Sequence, residues 1–220
     1  MEYVLQTDGL TKRYGQVNVV DEVSMHVKKG SIYGFIGKNG AGKTTFMRMA
    51  AGLAAPTAGA MTIFGSRELE RARMRIGTLI EEPGVFKGMT ARENLEVLRR
   101  SYGITEKERV EEMLSLTGLL DTGKKKVKNF SMGMKQRLGI AISLMRSPDF
   151  LILDEPMNGL DMHWLEVTRN LLMEMKTNGK TILLASHNKQ DIDMLCDQII
   201  QLEEGKIVRN ERYFDLTEDK

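Results

Sequence analysis

Cysteine is nearly absent: the 220 residues include only Cys196. An intrachain disulfide is therefore excluded, which suits a reducing cytosol, and the lone thiol reads as a small apolar filler in a helix. Long apolar runs are missing too. No stretch reaches the roughly 18 apolar residues that a membrane-spanning helix requires, and the first residues lack a signal-like apolar region. The expectation is a chain that is soluble by itself. Charge of one sign is also missing. Thirty-two Lys and Arg against 30 Asp and Glu leave a formal net charge of +2, too little for a whole-chain attraction to nucleic acid or an anionic membrane. The run Lys124-Lys125-Lys126 is short enough to be a solvated loop. There is no internal repeat and no low-complexity segment.

What remains is the composition of an ordinary globular protein, 41% hydrophobic and 28% charged, long enough for one domain with a sizeable core. Sixteen Met residues are scattered over apolar positions, which predicts adaptable core packing. One stretch organises the rest: Gly37-Lys38-Asn39-Gly40-Ala41-Gly42-Lys43-Thr44-Thr45. A glycine, four residues and then Gly-Lys-Thr is the spacing of a loop that cradles phosphate with backbone N–H groups. Lys43 supplies a point charge for β- and γ-phosphates, and the Thr44 hydroxyl can ligate Mg²⁺. An apolar strand at Ile32–Ile36 precedes the loop, and a helix beginning near Thr44 follows it, with its N-terminus favouring an anion. The chain is expected to bind a nucleoside triphosphate.

Strands are predicted at 4–7, 23–27, 61–64, 76–80, 150–153 and 181–186, with a closing hairpin over 199–202 and 206–208. Val23–Val27 alternates strictly, which turns His26 to solvent. Phe150–Leu153 is continuously apolar, as in the middle of a parallel sheet. Capping-box patterns at Thr90-Ala91-Arg92-Glu93 and Thr105-Glu106-Lys107-Glu108 open two helices. Ser131 reads as the N-cap of a third, running to about Arg146. Further helices are expected over about 164–175 and 189–196. Strands alternating with helices give an α/β fold with a mostly parallel sheet. The helical stretch from about 83 to 147 interrupts it and stands as a subdomain beside a core formed by 1–82 and 148–220, within one domain over 1–220.

Asp154 and Glu155 follow a buried strand, so both carboxylates lie at its C-terminal end, where ligands collect in open α/β sheets. Asp154 would hold Mg²⁺ as the partner of Thr44. Glu155 would orient and polarise an attacking water. His187 follows a second buried strand, and its imidazole there could hydrogen-bond a γ-phosphate. Tyr14 is either a core or edge aromatic or a platform for an adenine ring.

Five segments together resemble the ATP-binding subunit of an ABC transporter, over essentially the whole chain. Besides the phosphate loop, they are Phe130-Ser131-Met132-Gly133-Met134-Lys135-Gln136-Arg137, Leu151-Ile152-Leu153-Asp154-Glu155-Pro156, Asn158-Gly159-Leu160-Asp161 and Ser186-His187. The resemblance implies a P-loop NTPase fold with a parallel core, an N-terminal antiparallel β-subdomain and an inserted helical subdomain. It implies Mg²⁺ and ATP, with Tyr14 stacking on adenine and with Ser131 and Gly133 capping the γ-phosphate held by an opposite subunit. Two chains would then sandwich two ATPs. Since this chain cannot span a bilayer, a separately encoded permease would be the membrane partner, with the chain peripheral on the inner face of the cell membrane. No nucleic-acid partner is implied.

The sequence departs from the family pattern at four places. Met132 and Met134 replace a Gly and a Gln of the signature segment, and Lys38 stands where Pro is frequent. Glu81 occupies the position of a Gln that touches Mg²⁺, bringing a charge and losing amide donors. With Asn158-Gly159-Leu160-Asp161, these features resemble bacitracin-export and lantibiotic-immunity ATPases. Two other classes compete. Ribosome- or DNA-acting ATPases of this kind need a second such domain or a long coiled coil, and a small-molecule kinase needs neither the Ser131–Arg137 segment nor the 158–161 loop.

Overall fold

Alternation along the central strands creates two apolar layers. In β6 (Phe150–Asp154) Leu151 and Leu153 join one buried cluster, while Phe150 and Ile152 join the other. In β7 (Thr181–Ala185) Ile182 and Leu184 divide from Leu183 and Ala185 in the same way. Successive side chains of a strand point to opposite faces, so a continuously apolar strand must be covered twice. The computed structural model that reveals this describes residues 2–212.

One layer is an antiparallel sheet of β1 (Tyr3–Tyr14), β2 (Val17–Lys28) and β4 (Ala58–Ile63), ordered β2-β1-β4. It packs with α1 (Lys43–Ala51), whose Phe46, Met47, Met49 and Ala50 are buried. The second sheet has the order β5-β6-β7-β3-β8-β9, with β5 (Ile76–Leu79), β3 (Ile32–Ile36), β8 (Gln198–Glu203) and β9 (Lys206–Arg212). Every pairing in it is parallel except β8 with β9. Short α2 (Leu69–Arg73) leads into β5.

Between β5 and β6 the chain is helical, with α3 (Ala91–Ser101), α4 (Glu108–Leu116) and α5 (Met132–Leu144). Two helices complete the second layer, α6 (Met162–Thr177) and α7 (Lys189–Leu195). A close backbone approach fixes α5 against β5. A Cβ at Gly77 would lie 2.0 Å from the Ser143 carbonyl oxygen, so only glycine allows the strand this near the helix.

Several local expectations hold. Thr90 and Glu93 form the reciprocal capping box, and Ser131 Oγ accepts from Met134 N at 3.2 Å. His26 is exposed beside the Tyr3 ring. Cys196 is buried just beyond α7, and burial pushes its thiol pKa up, away from reactivity.

Three expectations do not hold. The 105–108 segment forms no capping box, because Lys107, the N-cap of α4, is already helical and its side chain makes no capping bond. The link before it is held by the Arg99 guanidinium on the Ile104 carbonyl instead. Strand β1, expected over 4–7, continues through register shifts against β2 as far as Tyr14. Met25, Met47, Met49 and Met113 are core residues, but Met74, Met132, Met162, Met173 and Met194 are exposed. Those five lie on outward helix faces or beside a loop, where no layer covers them.

Candidate functional site

Strands β6, β7 and β3 are adjacent and parallel, so whatever follows each of them emerges at one sheet edge. After β3 comes the 37–45 loop, after β6 come Asp154 and Glu155, and after β7 comes Ser186-His187. A cleft of about 860 Å³ opens there, lined by residues 39–45 together with Glu81, Asp154 and Glu155.

The loop turns onto itself. Lys43 is buried, and its Nζ donates to the carbonyls of Gly37 at 2.6 Å and Lys38 at 3.2 Å. Gly42 has φ +105, and a Cβ there would meet the Val19 carbonyl oxygen at 2.3 Å. That conformation turns the chain into α1, whose first residues, Lys43 to Thr45, line the cleft and whose N-terminus has no side-chain cap. Such an end favours an anion.

Thr44 Oγ1 donates to Asp154 Oδ2 at 2.6 Å. Hydroxyl and carboxylate together are a hard-oxygen pair that suits Mg²⁺, which takes one or two protein oxygens and completes its shell with phosphate and water. Among the described residues no group of three or more His, Cys, Asp or Glu is arranged to hold a metal alone. The residues present therefore fit a cation that arrives with phosphate.

Glu155 has φ +51, a left-handed conformation that is strained for a non-glycine residue. Its N–H donates to the Ala185 carbonyl at 2.9 Å, extending the β6–β7 pairing by one residue. Its Oε2 lies 2.8 Å from His187 Nδ1. Behind His187 is a buried network. Arg169 Nε donates to Asp191 Oδ1 at 2.9 Å, and Ser186 Oγ donates to Asp191 Oδ2 at 3.3 Å while accepting from Asn188 N. It ties α6 and α7 to the histidine-bearing turn.

Tyr14, Ser131 and Gly133 stand apart from the cleft. Tyr14 is half exposed, with Lys12 Nζ 5.0 Å from its ring centroid. Ser131 is exposed, and its hydroxyl is occupied in capping α5. Gly133 lies against the Gly159 carbonyl, where a Cβ would come within 2.7 Å. Glu81 lines the cleft, in an ion pair with Arg48 of α1.

Sequence reasoning missed Val19, Met132, Lys135 and Gln136 as lining residues. The last three share a helix face at spacings of three and four, a signal that was readable. Arg137 of the same helix lies outside the cleft: its guanidinium carbon is 4.1 Å from the Trp164 ring centroid, and it donates to the Thr117 and Gly118 carbonyls at 2.9 Å each. Burial lowers the Arg137 pKa from its ordinary value.

A family described as ABC transporter matches residues 20–158. The bacitracin transport ATP-binding protein BcrA of Enterococcus faecalis is 41% identical, the match covering 100% of this chain and 77% of that protein. The lantibiotic transport ATP-binding protein SrtF of Streptococcus pyogenes is 42% identical over 96% of this chain and 91% of its own. A solved ATP-binding subunit of an ABC transporter superposes with a TM-score of 0.88 at 29% identity, covering 98% of this chain and 92% of that one.

Proposed function

The chain belongs to the ABC transporter ATP-binding family, and from that premise we propose that it powers the export of, or immunity to, antimicrobial peptides or related compounds. It does so as the ATPase of a separately encoded permease, peripheral on the inner face of the cell membrane. The peptide assignment follows the bacitracin and lantibiotic transport proteins it resembles. The observation that carries the chemistry is the meeting of Lys43, the Thr44–Asp154 pair and the Glu155–His187 pair at one sheet edge.

The residues divide the work. Gly37, Lys38, Asn39, Gly40, Ala41, Gly42 and Thr45 form the phosphate cradle, and Lys43 exchanges its two carbonyl partners for phosphate oxygens. Thr44 and Asp154, with Glu81 at the cleft wall, would hold Mg²⁺, which neutralises charge on the phosphates when bound. Glu155 accepts the proton of a water whose oxygen attacks the γ-phosphorus, and ADP leaves as the bond to the β-phosphate oxygen breaks. His187 hydrogen-bonds the transferring group and steadies Glu155. Tyr14 offers its exposed face to adenine.

Ser131 and Gly133 lie outside the cleft of their own chain and would cap the γ-phosphate of a second subunit, a copy or a paralogue. Glu155→Gln should then form a stable dimer with Mg-ATP on size-exclusion chromatography. A monomer under those conditions would remove the sandwich or the assignment of the base.

For the permease we propose a docking surface at Phe86 and α3. Asn94 is buried and accepts from Phe86 N at 2.7 Å, while its amide donates to the Phe86 and Thr90 carbonyls. This holds the 86–90 loop against α3, with Phe86 exposed and the Glu96–Arg100 ion pair on the same helix. Phe86→Ala with Arg100→Glu should abolish co-purification with the permease and leave the ATPase of the isolated chain within about two-fold. Retained co-purification would place docking elsewhere.

A further inference from the structure

We infer that Gln136 is a positioning residue for Glu155, joining the anion-binding end of α5 to the base of the same chain. The inference rests on the reading of Glu155 as that base. Gln136 Nε2 donates to the Glu155 carbonyl oxygen at 2.8 Å. The same oxygen accepts from Asn158 N at 3.1 Å, closing the turn after β6.

Glu155 needs such support. A non-glycine residue at φ +51 persists only where its surroundings over-determine it. Three tethers do so here: its N–H on Ala185, its carbonyl under Asn158 and Gln136, and its side chain against His187. Two of them belong to the core, in the neighbouring strand β7 and the turn behind it. Gln136 alone comes from α5, a helix of the segment between β5 and β6.

The helix carries this contact as a rigid element. Leu138, Gly139, Ile140, Ala141 and Leu144 are buried, and Gly77 lets β5 lie against the backbone at Ser143. Ser131 and Gln136 are separated by about 7.5 Å of helix rise. The first turn also abuts the loop beyond Glu155, with Gly133 and Met132 both packed on Gly159. A shift of the α5 N-terminus therefore reaches residue 155 through the Gln136 amide. The nucleotide read by that helix end in the opposite site thus bears on the orientation of this chain's own base.

A positioning role differs from one in nucleotide binding or folding, and steady-state kinetics of the full chain with Mg-ATP separates them. Gln136→Leu keeps the bulk and removes the donor, whereas Gln136→Lys keeps a donor of similar reach. The Leu variant should lose about ten-fold in kcat with KM for ATP within about two-fold, and the Lys variant should recover most of kcat. The double variant Glu155→Gln with Gln136→Leu should still dimerise with Mg-ATP. Unchanged kcat in the Leu variant, equal losses in Leu and Lys, or failure of the double variant to dimerise would each overturn the proposal. Glu155→Gln alone is the control for the premise: if it keeps wild-type turnover, the base assignment fails, whatever Gln136 does.

Discussion

Thr44 and Asp154, 110 positions apart, meet through a 2.6 Å hydrogen bond from hydroxyl to carboxylate oxygen. One lies at the end of the phosphate loop and the other ends β6, and the parallel sheet delivers them to the same edge. A cation held there depends on both oxygens. Thr44→Val keeps the shape and removes one, so kcat/KM should fall at least about ten-fold and the Mg²⁺ midpoint should rise. Stability without nucleotide should change by only about 1 kcal/mol, the scale of one hydrogen bond. ATPase assays over a Mg²⁺ series and thermal melts check both parts; an unchanged midpoint would remove Thr44 from the metal site.

The loop glycines make an internal comparison. Gly40 has φ +82 with nothing within 4 Å of an added Cβ, whereas Gly42 has φ +105 with the Val19 carbonyl oxygen 2.3 Å away. Gly40→Ala meets only the left-handed penalty, about 1–2 kcal/mol. Gly42→Ala meets that and a backbone clash, so its melting temperature should drop clearly further. Equal drops would mean that the loop relaxes away from β2.

Acid should loosen α3. Hydrogen bonds from Arg99 and then Arg100 hold the Glu96 carboxyl down to about 2, against an ordinary 4.5. A depressed carboxylate contributes stability that is complete above its unfolded pKa and is lost as pH falls through the folded one. The stability difference between wild type and Glu96→Gln should therefore be constant near neutral pH, shrink from about 4.5 downward and vanish near 2. Chemical denaturation at a series of pH values measures it. A difference that already disappears at pH 5 would mean that the pairing does not hold Glu96.

Much of the site was legible because its residues lie in short contiguous segments at strand ends. A glycine pattern before Lys43, an acidic pair after Phe150–Leu153 and a histidine after Thr181–Ser186 each carry their own local cause. Contacts between segments were not legible. Arg48 holds Glu81, the position singled out for metal. Arg137 lies over Trp164 and against Gly118, where any Cβ would strike the indole. Neither partner is predictable from spacing, because these pairs meet only after α1, α4, α5 and α6 have packed. The failed capping box at 105–108 has the same origin. Its pattern was sound locally, but the Arg99 guanidinium claimed the Ile104 carbonyl and Lys107 entered the helix uncapped.

The sequence by itself determined the glycine loop over 37–45 between a buried strand and a helix, and the acidic pair at the end of β6, since loop, strand and cap chemistry act over a few residues. The tertiary structure decided which of those groups touch. It set Thr44 on Asp154, His187 on Glu155 and Gln136 beneath Glu155, and it left Ser131 and Gly133 outside the cleft of their own chain. The reason is strand order. Only the arrangement β6-β7-β3 brings three distant strand ends side by side, and no local preference encodes an order.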